Sequence, residues 1–347
     1  MRAVVYRGIG DLTVEDREVP SIGPRDVLVR NMRTGICGTD ISAFTKGGEA
    51  LGIFPGGLIG HEFVSEVVEV GAEVRDPAIV PGLRVFVNAS TSKRRGEGRS
   101  QLEITDSAGG LSQFISVQDA EIGYNLHPLP AHVSWDQAVL IEPFSVANRG
   151  ANIAKPVPGE RALVFGAGAV GLGALANLKA KGVEQVIVSD IVPSKLEVVR
   201  RLGGIPVDGR EVDPIEFAKE RFGVVTNFID EERADVDIFI DSAGSPNAMS
   251  DYLRGGKPGS RMVLVALPPH SFEISQTAFV LQELSILTSL AYSNDDIAEV
   301  VRYLEERRYD PSPVITHHFS QEDVVEAFRT VIEKKDEAIK VVVDVHP

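Results

Sequence analysis

The chain has 347 residues, and at roughly 150 residues per domain this length predicts about two domains. Apolar residues make up 43% of the chain, which excludes a disordered protein. The net charge of −15 argues against nucleic acid as a partner, because an acidic surface repels phosphate backbones.

A membrane partner is not expected either. The longest uncharged stretch, 162–178, holds four glycines and one asparagine, and it is shorter than the roughly 20 apolar residues that a span needs. The N-terminus reaches acidic residues before an apolar signal-peptide core can form. The single cysteine, Cys37, cannot form an internal disulfide. These features predict a cytoplasmic protein.

Up to about residue 130, short runs of alternating apolar residues predict strands. These runs lie at 3–6, 27–29, 63–70, 85–87 and 114–117. Glycine and proline clusters separate them, as expected for turns. Short strands with turns between them predict a compact antiparallel barrel or sandwich.

After about residue 150, strand patterns alternate with helix patterns. Strands are predicted at 162–165, 186–188, 236–240, 262–267 and 284–290, and helices at 169–181 and 194–202. This alternation is typical of βαβ units and a parallel sheet. The tail, with helix patterns at 295–306 and 321–333 and a strand pattern at 339–345, belongs to neither half by pattern alone.

A glycine-rich loop lies between the first strand and the first helix of this second half. The sequence FGAGAVG places Gly166, Gly168 and Gly171 in the spacing G-x-G-x-x-G, which suits a dinucleotide pyrophosphate at a helix N-terminus. Asp190 ends the next strand, 19 residues after Gly171. A carboxylate there can accept both adenosine ribose hydroxyls and repels a 2′-phosphate, which predicts NAD in preference to NADP. The alternative is that Asp190 is a solvated residue at the end of a strand.

Three residues in the first half have side chains that can bind a metal. Cys37 lies among glycines and polar residues, His61 precedes an alternating strand, and Glu142 interrupts the apolar run AVLIEPFSVA. Taken singly, a cysteine is more often a small buried apolar residue and a histidine more often structural. A buried carboxylate, however, needs a partner or a cation. Together, the three are ligand types of a catalytic zinc site.

The motifs GICGTD, GHE, EPF and VFGAGAVG, followed by Asp190, resemble those of the zinc-dependent medium-chain dehydrogenases, a family of alcohol, polyol, threonine and glucose dehydrogenases. The resemblance covers essentially the whole chain. It implies an α/β protein with a GroES-like β-rich catalytic domain at 1–150, completed by 288–347. It also implies a doubly wound parallel-sheet (Rossmann) domain that binds NAD at 151–287.

The resemblance also implies the roles of individual residues. Cys37 and His61 match zinc ligands, Glu142 matches the third, and Glu62 matches a position that binds the metal or exchanges with water. Thr39 matches the hydroxyl residue that touches the substrate oxygen. The expected cofactor contacts are Gly166, Gly168, Ala169, Val170, Gly171, Asp190, Lys195, Ser242, Gly244, Ala266 and Leu267.

The chain departs from the family pattern in two places. Family members with a structural zinc carry four cysteines in a segment that here, at 88–106, contains none, so one catalytic zinc and no structural zinc are expected. Five residues after Cys37, where a histidine often passes the alcohol proton to solvent, this chain has Ser42. Serine can relay a proton but cannot store one near neutral pH, which argues against close similarity to threonine dehydrogenases.

The predicted function is therefore that of a zinc-dependent oxidoreductase that transfers hydride between a secondary alcohol, polyol or sugar hydroxyl and NAD. The recognised site residues include no obvious clamp for an anionic group, which favours a neutral small-molecule substrate. A threonine-type dehydrogenase, a zinc-free reductase and a non-catalytic binding protein of the same fold remain alternatives. The apolar strand patterns at 262–267 and 284–290 match an edge that pairs subunits in the family, so a homodimer or homotetramer is expected.

Overall fold

The computed structural model describes residues 1–90, 109–267, 271, 273 and 276–346. They form two compact units. The first comprises Met1–Glu142, Ile297–Glu306 and Ile315–Pro347, and the second comprises Pro143–Asp296 and Arg307–Val314. Most of the cysteine-free segment at 88–106 lies outside the described residues.

The strands of the described residues are numbered in chain order. They are β1 (Arg2–Gly8), β2 (Asp11–Asp16), β3 (Val27–Gly35), β4 (Glu62–Val70), β5 (Arg84–Val87), β6 (Phe114–Val117), β7 (Leu126–Pro128), β8 (Arg161–Phe165), β9 (Gln185–Asp190), β10 (Ile205–Asp208), β11 (Val224–Thr226), β12 (Glu232–Ala234), β13 (Ile238–Asp241), β14 (Arg261–Leu264), β15 (Ser285–Thr288), β16 (Ile315–Ser320) and β17 (Lys340–Asp344).

The α-helices of the same residues are numbered in the same way. They are α1 (Gly38–Lys46), α2 (Trp135–Ala138), α3 (Ile141–Ala154), α4 (Ala169–Ala180), α5 (Pro193–Arg201), α6 (Pro214–Phe222), α7 (Pro246–Gly255), α8 (Gln276–Gln282), α9 (Asn294–Glu305) and α10 (Val324–Glu333). None of these helices has the length and apolar character needed to cross a membrane.

β3 lies inside the main sheet of the first unit. The strands of this sheet run in the order β16–β17–β3–β4–β5–β7, and β6 also pairs with β3. β3 and β4 are antiparallel, with Gly35 opposite Glu62, and β17 pairs antiparallel with β3, with Val342 opposite Gly35. The end of β3 and the starts of β4 and β17 therefore meet at one place in the sheet. The predicted tail strand, which the pattern alone left unassigned, is β17 of this sheet, and the neighbouring β16 was not predicted.

The second unit contains a six-stranded parallel sheet in the order β10–β9–β8–β13–β14–β15. The strand order reverses between β8 and β13, and in such sheets ligands bind at the carboxyl ends of the strands at the point of reversal. Buried apolar residues such as Leu163, Ile187 and Phe239 fill one core of this unit. The predicted α/β fold class is confirmed by these sheets.

Several elements of the structure were not predicted, among them the helix α1 and the hairpin of β11 and β12. The helix α1 has the sequence GTDISAFTK, which is poor in strong helix formers, and it forms because Ala43 and Phe44 pack into the core of the first unit. The hairpin of β11 and β12 follows α6 and carries the exposed Phe228 in its turn. The division between the units falls between Glu142 and Pro143, within α3, whereas the expected boundaries were at residues 150 and 288.

Candidate active site

Cys37 stands immediately before helix α1. Its backbone N–H donates to the Asp40 carboxylate (N–Oδ2 3.0 Å), which fixes the first turn of the helix. The Cys37 sulfur lies 3.7 Å from the hydroxyl oxygen of Thr39. Because the N-terminal end of a helix carries a partial positive charge, this position suits an anionic metal ligand.

His61 follows a turn that requires glycine. Gly60 has a φ of +96°, and a Cβ at this position would lie 3.0 Å from Leu111 Cγ and 3.1 Å from Thr34 Cγ2. A side chain here would be strained and crowded at once. The turn places His61 directly before β4, beside the end of β3.

A buried carboxylate lies beside His61. Asp40 is 1% exposed, its Oδ1 is 3.6 Å from His61 Nδ1, and this oxygen has no hydrogen-bond partner among the described residues. Burial lowers the pKa of His61, but the negative charges of Asp40 and Cys37 outweigh burial and raise this pKa well above its ordinary value. The site therefore favours positive charge at His61.

The structure brings three predicted ligands together. One ligand atom from each of Cys37, His61 and Glu62 lies within 4.8 Å of the others. A sulfur, an imidazole nitrogen and a carboxylate oxygen, next to the unpartnered Oδ1 of Asp40, fit a divalent zinc ion. Glu142, the third ligand expected by resemblance, is buried but does not belong to this group.

Glu62 forms an ion pair with a lysine from the far end of the chain. Lys340 Nζ donates to Glu62 Oε2 at 2.5 Å and to the Ile36 carbonyl oxygen at 3.1 Å, and the two charged side chains are 5% and 2% exposed. Burial lowers the pKa of Lys340, but the negative charges of Glu62, Cys37 and Glu142 raise it above its ordinary value. The negative charge of Glu142 thus also favours the charged form of Lys340.

Sequence reasoning missed both Asp40 and Lys340. Asp40 could have been found, because an acidic residue three positions after a helix-capping residue is typical of a capping box. Lys340 leaves only a weak signal, a charged residue at the start of the apolar run VVV. The two expected proton-transfer residues, Thr39 and Ser42, both lie on α1 and are half-buried.

In the second unit, the glycine loop is packed tightly against its own backbone. A Cβ on Gly171 would lie 1.9 Å from the Gly166 carbonyl oxygen, so only glycine fits there. Ser242 Oγ donates to the Phe165 carbonyl oxygen at 2.8 Å. Gly168 immediately precedes α4, so the loop opens that helix as expected.

Asp190 is held by backbone N–H groups on both carboxylate oxygens. Ala167 N donates to Oδ2 at 2.6 Å, and Ile191 N and Val192 N donate to Oδ1 at 2.7 and 3.0 Å. Asp190 thus ties the end of β9 to the glycine loop. A cavity of about 460 Å³ opens beside it, with Gly166 in its wall. The size and the position at the carboxyl ends of parallel strands suit an adenosine group.

The other expected cofactor residues do not line this cavity. Lys195 lies half-buried on α5, and Leu267, which follows β14, is 85% exposed. The Ser242 hydroxyl is directed to the glycine loop. The remaining ones form the first turn of α4 or short turns after strands, namely Gly168, Ala169, Val170, Gly171, Gly244 and Ala266.

Comparison with known families agrees with this arrangement. Residues 23–131 match the family model described as alcohol dehydrogenase GroES-like domain, and residues 169–306 match the model described as zinc-binding dehydrogenase. The chain belongs to the zinc-dependent medium-chain dehydrogenases. The resemblance inferred from its motifs is confirmed, as is the prediction of an oxidoreductase that acts on CH–OH groups.

Curated relatives of the dehydrogenase align along nearly its whole length. It is 29% identical to (R,R)-butanediol dehydrogenase of Neisseria gonorrhoeae, with 99% of both chains covered. It is 29% identical to sorbitol dehydrogenase of Bacillus subtilis, covering 99% of this chain and 97% of the relative. It is 28% identical to L-threonine 3-dehydrogenase of Paraburkholderia phytofirmans, covering 96% and 95%.

Solved structures support the same fold for the dehydrogenase. The crystal structure of 2R,3R-butanediol dehydrogenase from Bacillus subtilis superposes with a TM-score of 0.85 at 25% identity and 99% coverage of both chains. The alcohol dehydrogenase rspB of Escherichia coli, solved in complex with NADH, gives 0.83 at 25% identity, also with 99% coverage of both. The comparisons therefore support a nicotinamide cofactor, zinc and a small-molecule substrate for this dehydrogenase.

Proposed function

We propose that the dehydrogenase oxidises a secondary hydroxyl of a neutral diol, polyol or sugar with NAD, using a single zinc ion in its first unit. The grouping of Cys37, His61 and Glu62 within 4.8 Å carries this proposal. A zinc-free reductase or a binding protein of the same fold has no need for these three ligand types in one place.

The proposed metal ligands are Cys37, His61 and one carboxylate. Glu62 is the carboxylate that has an oxygen within 4.8 Å of ligand atoms of both other residues, and Glu142 is the alternative that the family resemblance favours. Zinc, when bound, supplies a Lewis acid that stabilises negative charge on an oxygen atom. A second, structural zinc is not proposed, because the chain has no cysteine besides Cys37.

The chain's own residues have three proposed tasks around this metal. Asp40 fixes the orientation of the His61 ring and offsets its charge. Thr39 accepts the proton of the substrate hydroxyl and passes it towards solvent, and Ser42 extends that route. Lys340 neutralises the buried Glu62, so that a carboxylate can remain ionised beside the metal ligands.

Several observations support NAD as the cofactor. The cavity that suits adenosine has Asp190 in its wall, and three further carboxylates share that wall. A 2′-phosphate would meet these negative charges, whereas the ribose hydroxyls of NAD can donate to Asp190. The proposed cofactor contacts in the glycine loop are Gly166, Gly168, Ala169, Val170 and Gly171.

The substrate class rests on the relatives and on one residue. Two of the relatives act, by their names, on butanediol and sorbitol, which are neutral. Threonine is the second candidate, because an L-threonine 3-dehydrogenase is nearly as similar. Ser42 favours the neutral substrates, since threonine dehydrogenases usually have a histidine there.

The test is a substrate panel on protein purified without chelator, with its metal content measured. We expect about one zinc per chain and NAD reduction with 2,3-butanediol or sorbitol that exceeds the rate with L-threonine. Two tightly bound zinc ions per chain would contradict the single site. A metal-free protein that reduces activated double bonds would replace this proposal with the zinc-free reductase.

We also propose a homodimer or a dimer of dimers. β15 is the last strand of the six-stranded sheet, and Val280 and Leu290, close to it in sequence, are 76% and 56% exposed. An uncovered edge strand invites pairing with a second chain. Light scattering at micromolar concentration should give at least twice the mass of one chain, and a monomer would refute the proposal.

A further inference from the structure

Asp208 and Arg210 form a charged pair at the end of the strand next to Asp190. β10 is parallel to β9, and the register places Asp208 next to Asp190 at the carboxyl ends of the two strands. Gly209 N donates to the Asp190 carbonyl oxygen at 3.0 Å, which holds the following loop against β9. Arg210, on that loop, is part of the wall of the adenosine cavity.

Arg210 is the one cation among the described residues that line this cavity, whereas four lining residues are acidic. The acidic residues are Asp190, Glu211, Asp213 and Asp251. An arginine close to the ribose is the group with which NADP-dependent enzymes bind the 2′-phosphate. The charge that NADP needs is therefore present at the cavity, in a chain whose other features favour NAD.

Asp208 already binds that guanidinium through both of its oxygens. Arg210 Nε donates to Oδ1 at 3.1 Å and Arg210 Nη2 donates to Oδ2 at 2.7 Å, while the Arg210 backbone N–H also donates to Oδ1 at 3.0 Å. The Asp208 side chain is 15% exposed and the Arg210 side chain 54% exposed, so the carboxylate is the fixed partner. Two-point binding of this kind holds an arginine in a single orientation.

We propose that Asp208 is a second determinant of cofactor choice, which acts by holding and neutralising Arg210 so that the adenosine cavity offers no available cation to a 2′-phosphate. This inference rests on the proposed use of NAD. Two carboxylates in neighbouring strands then discriminate against NADP. Asp190 repels the phosphate directly, and Asp208 withholds the arginine that would attract it.

The test compares two probes that differ only in the 2′-phosphate, adenosine 5′-monophosphate and adenosine 2′,5′-bisphosphate, by calorimetry. In Asp208→Asn, the amide oxygen still accepts the backbone N–H of Arg210, but the negative charge is gone. We expect the bisphosphate to bind about tenfold more tightly than to the unmodified chain, a change of about 1.4 kcal/mol. Binding of the monophosphate should change by less than about twofold, since it lacks the group that Arg210 would contact.

The matched variants are Arg210→Gln and the double variant Asp208→Asn/Arg210→Gln. If Arg210 carries the effect, the single glutamine variant binds the bisphosphate like the unmodified chain, and the double variant loses the gain. The gain should also shrink as salt is raised, because Arg210 is half-exposed. A gain that persists in the double variant, or no gain in Asp208→Asn, would overturn the proposal. If Asp208→Asn does not fold, Asp208→Ser serves in its place.

Titration of the unmodified chain with NADH and NADPH separates this inference from the proposed function. Preference for NADPH, or binding of neither, would refute the proposed cofactor itself. Preference for NADH together with an unchanged Asp208→Asn would refute only the role of Asp208. Preference for NADH together with the tenfold gain supports both.

Discussion

The candidate metal ligands of the first unit and the proposed nucleotide cavity of the second are assembled in different ways. The ligand group and the lysine that pairs with Glu62 come from the residue before α1, the turn and start of β4, and the start of β17, which are separated by up to about 300 residues. The nucleotide cavity is built from the ends of consecutive strands and the loops that follow them. One site depends on strand register across the whole unit, and the other depends mainly on local βαβ geometry.

The two sites also satisfy their charges differently. In the first unit, Glu62 and Lys340 are almost fully buried and each is the ion-pair partner of the other. In the second, the Asp190 carboxylate accepts three backbone N–H groups from its own loop and from the glycine loop. Removal of one member of a buried pair leaves a charge without compensation, whereas backbone donors remain when a side chain changes. The first site should therefore be the more sensitive to substitution.

The largest expected effect follows removal of a metal ligand. Cys37→Ala and His61→Ala should each lose zinc and lower kcat/KM by at least about a thousandfold, roughly 4 kcal/mol of transition-state stabilisation. Binding of adenosine 5′-monophosphate should change by less than about twofold, because the cavity for it lies in the second unit. Metal analysis, kinetics and calorimetry on the same preparations measure the zinc content, kcat/KM and the affinity for the monophosphate.

The same assays decide between the two carboxylates. Glu142→Ala is expected to abolish turnover if Glu142 joins the ligands when metal binds, and Glu62→Gln if Glu62 does. Thr45→Ser, a conservative change on the exposed side of α1, is the control for both. A variant that keeps the zinc content and the rate of the unmodified chain would show that the substituted residue is not a zinc ligand.

The next effect concerns the buried pair. Lys340→Met should lower the free energy of unfolding by about 3–5 kcal/mol, because it leaves the Glu62 carboxylate buried without its cation. Adding Glu62→Gln to Lys340→Met should recover much of that loss, since no unpaired charge remains. Urea unfolding of metal-free protein measures both, with the exposed Lys335→Met as control. Equal losses in Lys340→Met and Lys335→Met would show that the pair does not stabilise the first unit.

Cofactor preference should change by a smaller amount. The unmodified chain is expected to favour NAD over NADP by about a hundredfold in kcat/KM, or about 2.7 kcal/mol. Asp190→Ser combined with Ile191→Arg should lose NAD affinity and gain NADP affinity, with metal content unchanged. Asp190→Asn is the control, which should weaken NAD binding without a gain for NADP. Equal use of both cofactors by the unmodified chain would show that Asp190 does not bind the ribose.

The smallest effect is expected at a partly exposed ion pair of the second unit. Lys257 Nζ donates to Asp235 at 2.7 Å, and Arg161 also donates to this carboxylate. Burial raises the pKa of Asp235, but Lys257 and Arg161 outweigh it and lower this pKa below its ordinary value. The resulting stability is present at neutral pH and is lost as the pH falls through the lowered pKa.

Asp235→Asn should therefore cost about 1 kcal/mol of unfolding free energy at pH 7, and the difference should shrink below about pH 4. Urea unfolding between pH 3 and 7 checks this, with the exposed Glu69→Gln as control. A loss as large as that of Lys340→Met would contradict the contrast between buried and partly exposed charges.

The sequence alone was sufficient for the features that rest on local pattern. The alternation of strands and helices predicted the parallel sheet, and the spacing of Gly166, Gly168 and Gly171 predicted the loop that opens α4. Asp190 was located by its distance from that loop. Cys37 and His61 could also be named as candidate ligands, because together with Glu142 they form a set of zinc-ligand types and their motifs resemble those of a zinc-dependent family.

Only the tertiary structure decided which charges meet. The antiparallel pairing of β17 with β3 brings Lys340 to Glu62, and the parallel pairing of β10 with β9 brings the Asp208–Arg210 pair beside Asp190. The sequence pattern contains each strand but not its neighbours. Register sets these contacts, and it results from packing of whole strands, so a residue's partner several segments away leaves almost no trace in its own local sequence.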